Sequence, residues 1–259
     1  MLRNRVREAF NEGRVAFGVY LASGSPRVVE LLAFADLDYV RIDLEGSFPN
    51  PETIRHLIHT SHAVSITPFV RVPKPMDAQF VHQIINMGAL GIIVPRVENL
   101  AEAHEAVDAV KGAPLGSRKV RPDNILGQYG AIERDELTSW ENENVLLAVQ
   151  VETRTGIESV DEIASVPGID MLISGRNDLS ISFGVPGRQF EPVVLEAELR
   201  MVEAGKKAGK ITSVTYFPLR GDDQLERIRI RIEQGASCVS FGGDNDLMYA
   251  YRRALDELR

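Results

Sequence analysis

The chain has 259 residues, 44% of them hydrophobic and 25% charged, with a formal net charge of −8. That length and balance suit one ordered domain that buries a large core without disulfides or structural metal, and the acidic surplus opposes nucleic-acid partners, which need clustered Lys and Arg. No apolar run approaches the roughly 20 residues that span a bilayer, and the start Met1-Leu2-Arg3-Asn4-Arg5 lacks the apolar stretch of a signal peptide, so no membrane partner and a cytoplasmic location are expected.

Short apolar, β-branched runs recur along the chain, each bounded by Gly, Pro or Asp and each followed by a longer segment with helical spacing. Such alternation indicates parallel strands joined by helices. Strands are predicted near Val15–Tyr20, Asp38–Asp43, Val64–Val70, Gly91–Val94, Val145–Val151, Asp170–Ser174, Ile211–Thr215 and Cys238–Phe241. Eight strands with intervening helices in residues 1–259 predict an α/β fold, a single (β/α)8 TIM barrel.

Helix starts are marked by Ser25-Pro26, Asn50-Pro51 and Glu191-Pro192, because a polar cap followed by Pro suits a first turn. The five histidines, His56, His59, His62, His82 and His104, fall in predicted helices and read as outer-ring residues. The single Cys238, inside Ser237-Cys238-Val239-Ser240-Phe241, cannot form an internal disulfide and reads as a small buried hydrophobe. One long irregular segment, around 111–144, separates the fourth and fifth strands. Loops of that length are usually functional, and this one is expected to cover the pocket.

Barrel chemistry sits at the C-terminal ends of the strands. Here those ends carry Asp43-Leu44-Glu45-Gly46, Arg71, Pro95-Arg96, Glu152, Ser174-Gly175-Arg176-Asn177-Asp178 and Gly242-Gly243-Asp244. Arginines converging on one mouth offer bidentate clamps for carboxylates, so a small anionic substrate is expected. Glu152 and Asp178 supply oxygen ligands suited to Mg2+ or Mn2+, or alternatively salt bridges to Arg71, Arg96 or Arg176. Asp244 reads as the cap of the last helix.

Over nearly its whole length the chain resembles the HpcH/HpaI aldolases. The resemblance is carried by Ser23-Gly24-Ser25-Pro26, Ile42-Asp43-Leu44-Glu45, Val70-Arg71-Val72-Pro73, Gly91-Ile92-Ile93-Val94-Pro95, Gln150-Val151-Glu152-Thr153 and Asn177-Asp178-Leu179-Ser180. It implies that Glu152 and Asp178 bind a divalent metal and that Arg71 holds the carboxylate of a 2-oxo acid, with the metal stabilising an enolate. Three positions depart from the aldolase pattern: Gly46 where a His usually follows Asp-x-Glu, Asn86 where an Asp usually pairs with that His, and Arg96 where an apolar residue usually follows the Pro.

Loss of a base pair together with gain of an arginine resembles the siderophore-pathway citrate synthase branch of the family, of the staphyloferrin B type. That branch implies condensation of acetyl-CoA with oxaloacetate to citrate. Arg71 and Arg96 would clamp oxaloacetate, Glu152 or Glu45 would act as the base, and Ser174 and Arg118 would bind substrate, Arg118 by way of a carboxylate or an acyl-CoA phosphate. Two alternatives stand beside it: a metal-dependent aldolase releasing pyruvate from a 4-hydroxy-2-oxo acid, and a barrel that binds a metabolite without catalysis. The resemblance also implies a homo-oligomer, with Leu247, Met248, Tyr251 and Leu255 of the last helix packing on a neighbour.

Overall fold

Successive side chains of a strand point to opposite faces. In Tyr39-Val40-Arg41-Ile42-Asp43 this sends Val40 and Ile42 into the apolar layer under the helices and Tyr39 into the cluster on the barrel axis. Because Arg41 and Asp43 share the inward phase of Tyr39, the same two-residue period that builds the core also lifts charge toward the mouth.

A computed structural model describes residues 1–47, 49–216 and 221–258. In chain order the elements are α1 (Arg5–Asn11), β1 (Ala16–Leu21), α2 (Pro26–Phe34), β2 (Tyr39–Asp43), α3 (Pro51–Ala63), β3 (Thr67–Arg71), α4 (Ala78–Asn86), β4 (Gly91–Val94), α5 (Leu100–Val110), α6 (Arg134–Asn144) and β5 (Leu146–Val151). There follow α7 (Arg154–Glu158), α8 (Val160–Ser165), β6 (Met171–Ser174), α9 (Arg176–Ser182), α10 (Pro192–Lys207), β7 (Ile211–Tyr216), α11 (Gly221–Glu233), β8 (Cys238–Gly243) and α12 (Asp246–Leu258).

The eight strands pair in sequence order, all parallel, and β8 closes on β1, giving the expected (β/α)8 barrel. Its interior is filled by Tyr39, Phe69, Ile93, Met171, Ile211 and Cys238 among others, and α1 plugs the base with Val6 and Ala9. The rings of Tyr39 and Phe69 stand 5.1 Å apart. They fit only because Gly18 and Gly91 face them: a Cβ there would lie 2.1 Å from Tyr39 and 2.2 Å from Phe69. Among the described residues no helix is long and apolar enough to cross a membrane.

Strand boundaries differ from expectation mainly at β3. Val64 ends α3 as its C-cap and Ser65 takes φ +60°, so the chain reverses there instead of extending. All five histidines lie on helices, and Cys238 is buried.

The segment 111–144 departs from its expected role. Its last third is helix α6, and its ties to the barrel lie at the base: Lys111 pairs with Asp170 ahead of β6, and Asn124 donates to Asn86 at the end of α4. None of its residues lines the pocket at the mouth. The physical reason is that a helix following a parallel strand runs back to the base, so the chain leaving α5 at Val110 starts there, and Lys111 anchors it with bonds to Asn142 O and Val145 O.

Candidate active site

The mouth holds a cavity of about 310 Å3 lined by Tyr20, Arg41, Arg71, Gln150, Arg176 and Asp178, among others. Arg71 closes β3 directly beside Asp43 of β2 in the parallel register. Its Nε donates to Asp43 Oδ1 at 2.5 Å and its Nη1 pairs with Glu45 at 2.7 Å. Burial alone would lower the Arg71 guanidinium, but Asp43 and Glu45 outweigh it and raise the group, so Arg71 is a permanent cation.

Asp43 is the hub of this corner. It is fully buried and accepts from Arg71, from the Tyr20 hydroxyl at 2.5 Å and from the Gly46 amide at 3.0 Å. Burial opposes its charge, yet the Arg71 and Tyr20 bonds hold its carboxyl below the ordinary Asp value. Burial and the Asp43 carboxylate push the Tyr20 phenol up to about 12, which keeps it a proton donor.

Glu152 lies just beyond β5, almost fully buried. Its Oε1 accepts from the Arg96 amide at 3.1 Å and its Oε2 from the Gln150 side chain. Gln150 in turn accepts from Arg41 Nη2 at 3.0 Å. Burial first, then the neighbouring Asp178 carboxylate, pushes Glu152 up to about 8 despite the attraction of Arg41 and Arg71. A carboxyl tuned near neutrality close to Arg41 and Arg71 has the property expected of a general acid–base group.

The structure brings Arg71, Glu45 and Glu152 together at the mouth, with Asp178 exposed in the first turn of α9. It does not bring Arg96 and Arg118 there. The Arg96 side chain is exposed and does not line the cavity; with φ +46° its backbone serves the site, holding Glu152 by its N–H while its carbonyl accepts from Lys74. Arg118 is buried at the base, donating to Val110 O and pairing with Glu141. These contacts hold Arg118 against α5 and α6 at the base, away from the mouth cavity and the expected substrate carboxylate or acyl-CoA phosphate.

Ser174 reaches the cavity wall, but its hydroxyl turns away to donate to Glu198 of α10 at 2.7 Å. Asp244 does not cap α12. Its Oδ2 accepts from the Ala22 and Ser23 amides and pins the loop after β1, while Asp246 Oδ2 takes the Gly243 amide. Gly46 and Asn86 do not meet within one chain: Gly46 follows β2 at the mouth, and Asn86 ends α4 at the base.

Sequence reasoning passed over Arg41, Gln150 and Tyr20. The signal was present: Arg41 sits between Val40 and Ile42, and Gln150 between Val149 and Val151. A polar residue in the inward phase of an apolar barrel strand must find partners on the axis.

Among the described residues no group of three or more His, Cys, Asp or Glu is arranged to hold a metal. Glu152 and Asp178 still fit one. They are two hard oxygen donors whose mutual repulsion raises Glu152, and a divalent cation would relieve that repulsion, with substrate and water completing the shell.

A family model described as HpcH/HpaI aldolase/citrate lyase matches residues 16–248. The chain belongs to that family. A 2-keto-3-deoxy-L-rhamnonate aldolase from Escherichia coli (strain HS) is 30% identical to it over 99% of this chain and 92% of the relative. The crystal structure of an HpcH/HpaI aldolase from Desulfitobacterium hafniense DCB-2 superposes with TM-score 0.89 at 25% identity, covering 97% of this chain and 95% of that one. The citrate synthase SbnG superposes with TM-score 0.82 at 27% identity, covering 97% and 96%. The family's chemistry is that of carbon–carbon bonds, and the chain is an enzyme of the HpcH/HpaI lyase or citrate synthase-like kind.

Proposed function

We propose that this enzyme runs enolate chemistry on a small 2-oxo acid, in the specific form of condensing acetyl-CoA with oxaloacetate to give citrate. The observation that carries the reading is the buried Glu152 carboxyl, which accepts from the Gln150 side chain of the cavity wall and is pushed up to about 8 by burial and Asp178 against the attraction of Arg41 and Arg71. At neutral pH most of it carries a proton, ready to be given to a forming alkoxide and taken back. With Gly46 in the place of the usual His, Glu152 takes over the proton transfer.

In this reading Arg71 and Arg41 face the 2-oxo acid, neutralising its carboxylate and drawing electron density onto its ketone oxygen. Glu45, ion-paired to Arg71 at the rim, removes a methyl proton from acetyl-CoA. The resulting carbanion forms a bond to the ketone carbon, and the carbonyl electron pair moves to oxygen, which takes the Glu152 proton. Water then cleaves the thioester and frees CoA and citrate, the product implied by the siderophore branch.

A second reading has its own support in the Glu152–Asp178 pair and in the 30% identity to an aldolase. There Mg2+ or Mn2+ held by Glu152 and Asp178 supplies Lewis-acid polarisation of the 2-oxo group, and pyruvate is released from a 4-hydroxy-2-oxo acid. Self-association accompanies either reading. No residue of α12 is buried, and Leu247, Met248, Tyr251, Leu255 and Leu258 lie exposed along it, an apolar stripe that a neighbouring copy would cover.

The deciding experiment mixes chelator-treated enzyme with acetyl-CoA and oxaloacetate and follows free thiol and citrate. Thiol release with citrate, abolished in Arg71→Ala, is the expected result. Pyruvate from 4-hydroxy-2-oxo acids on adding Mg2+ or Mn2+, with no citrate, would replace it by the aldolase reading.

A further inference from the structure

We infer that Arg176, braced from behind by Glu198 of α10, is the residue that selects substrates carrying a second carboxylate. The inference rests on the proposed binding of a 2-oxo acid in this pocket and adds what reads its far end.

Glu198 is completely buried, and three groups converge on it: the Ser174 hydroxyl at 2.7 Å, Arg231 Nε at 2.8 Å and Arg176 Nε at 3.4 Å. Among the described residues two buried guanidinium groups thus share one buried carboxylate, leaving a local surplus of positive charge away from water. Such a surplus is costly unless another anion completes it.

The two arginines are not equivalent. Arg231 spends its remaining nitrogens on Gln234 Oε1 at 2.5 Å and Leu195 O at 2.7 Å. Arg176 donates from Nη2 to Thr215 O at 2.5 Å; its Nη1 is buried with no hydrogen-bond partner among the described residues, and its Nε meets Glu198 as an ion pair without a hydrogen bond. Only Arg176 of the two lines the mouth cavity.

Its plane is fixed as well. The guanidinium carbon stands 3.7 Å from the centroid of the Tyr216 ring and 5.0 Å from that of Phe190. A guanidinium held by a carboxylate behind it, a carbonyl at one side and aromatic faces is pre-oriented, so little freedom is lost when a carboxylate docks on it. Arg71, by contrast, already spends its Nε and Nη1 on Asp43 and Glu45. The pocket therefore presents two separate cationic positions, the Arg41–Arg71 pair of β2 and β3 beside the Tyr20 ring and Arg176 at the start of α9, which suits an acid charged at both ends.

The test uses unreactive 2-hydroxy acids, malate with two carboxylates and lactate with one, so that it reads binding and not turnover. Calorimetric titration of each in Mg2+-containing buffer should show the wild-type enzyme binding malate at least 10-fold more tightly than lactate. Arg176→Gln should lose most of that preference while lactate affinity stays within about twofold, and Arg176→Lys, which keeps the charge without the fork, should fall between. Glu198→Gln, which leaves Arg176 in place but unbraced, should lower the malate-to-lactate ratio several-fold, a change that general loosening of the fold would not produce because it weakens both acids alike.

A malate preference that survives in whichever of Arg176→Gln, Arg176→Lys and Glu198→Gln fold, as judged by a cooperative melt, would overturn the inference and leave the proposed function standing. Wild-type enzyme that binds neither acid would bring down both.

Discussion

Buried charge at the base of the barrel and buried charge at its mouth are handled differently. At the base, Lys111 donates to Asn142 O and Val145 O and pairs with Asp170, which also takes Arg7 and the Leu147 amide. Every donor of that ammonium is spent inside the fold. At the mouth, among the described residues, Arg41 Nε and Arg176 Nε and Nη1 have no hydrogen-bond partner, and Glu152 has a carboxyl pushed up to about 8 by burial and Asp178. Burial of a charge therefore does not by itself mark a site, and neither does one unpartnered atom, since Glu141 Oε1 at the base also lacks a hydrogen-bond partner among the described residues; two incompletely satisfied guanidinium groups lining one cavity do. The base ties elements together, while the mouth holds electrostatic cost in reserve for a ligand.

The largest effect should come from removing the tuned acid. Glu152→Gln keeps the size but offers one acceptor where Glu152 accepts from both the Gln150 side chain and the Arg96 amide, and it cannot transfer a proton, so kcat should fall roughly 10²–10⁴-fold. The same variant tests the stored cost. Burial and Asp178 raise Glu152 in the folded state from the ordinary 4.5 to about 8, so between those values the folded chain holds a proton that the unfolded chain has released. The unfolded state then binds fewer protons, and wild-type stability must fall as pH rises across that window, on the order of 1.4 kcal/mol for each pH unit crossed. Urea titrations at pH 5 and pH 8.5 should show the wild type losing stability relative to Glu152→Gln on going to the higher pH. A variant with full turnover, or a wild-type slope unchanged by the substitution, would remove Glu152 from its role.

At the base the expectation reverses. Lys111→Met removes one partner of a buried ion pair and should cost about 3–5 kcal/mol of unfolding free energy, while kcat per folded molecule stays within about twofold. Denaturant titration together with active-site-normalised kinetics measures both. If Lys111→Met abolished turnover in folded enzyme, the division between the two ends would fail.

The barrel was legible because its signal is periodic: β-branched runs with helical segments between them repeat eight times, with glycine at several of the joints, and local errors at Val64 and Ser65 did not disturb the count. The site was legible only where strand ends carry charge in plain view, as at Arg71, Glu152 and Asp178. Arg41 and Gln150 were hidden because they stand inside apolar strands, where one sequence does not say which phase faces the axis until the strands are closed. Arg96 misled for the opposite reason: it stands at the proper strand end, but its left-handed backbone turns the amide, and not the guanidinium, toward Glu152. Arg118 shows the same limit at long range, since the partner that removes it from the mouth, Glu141, lies on α6, a helix whose polar sequence reads as loop.

The smallest of the expected effects sharpens the comparison at one atom. A Cβ on Gly46 would lie 2.8 Å from Asp43 Oδ2 and 3.6 Å from the Tyr20 hydroxyl, closer to the carboxylate than ordinary packing allows. In Gly46→Ala the Asp43 carboxylate must give way, because it is the side chain nearest the new methyl group. Asp43 orients Arg71 through a 2.5 Å bond, so the displacement passes to the guanidinium that faces the 2-oxo acid. The expected outcome is a several-fold rise in KM for that acid with kcat nearly unchanged, and a stability loss of about 1 kcal/mol. The same geometry bears on the missing histidine: any side chain at position 46 meets Asp43 first, so restoring His there without re-seating Asp43 should not restore an aldolase base. Unchanged KM in a stable Gly46→Ala enzyme would show that Arg71 is held independently of Asp43, and the corner around β2 and β3 would then belong with the structural ion pairs of the base, such as Lys111–Asp170.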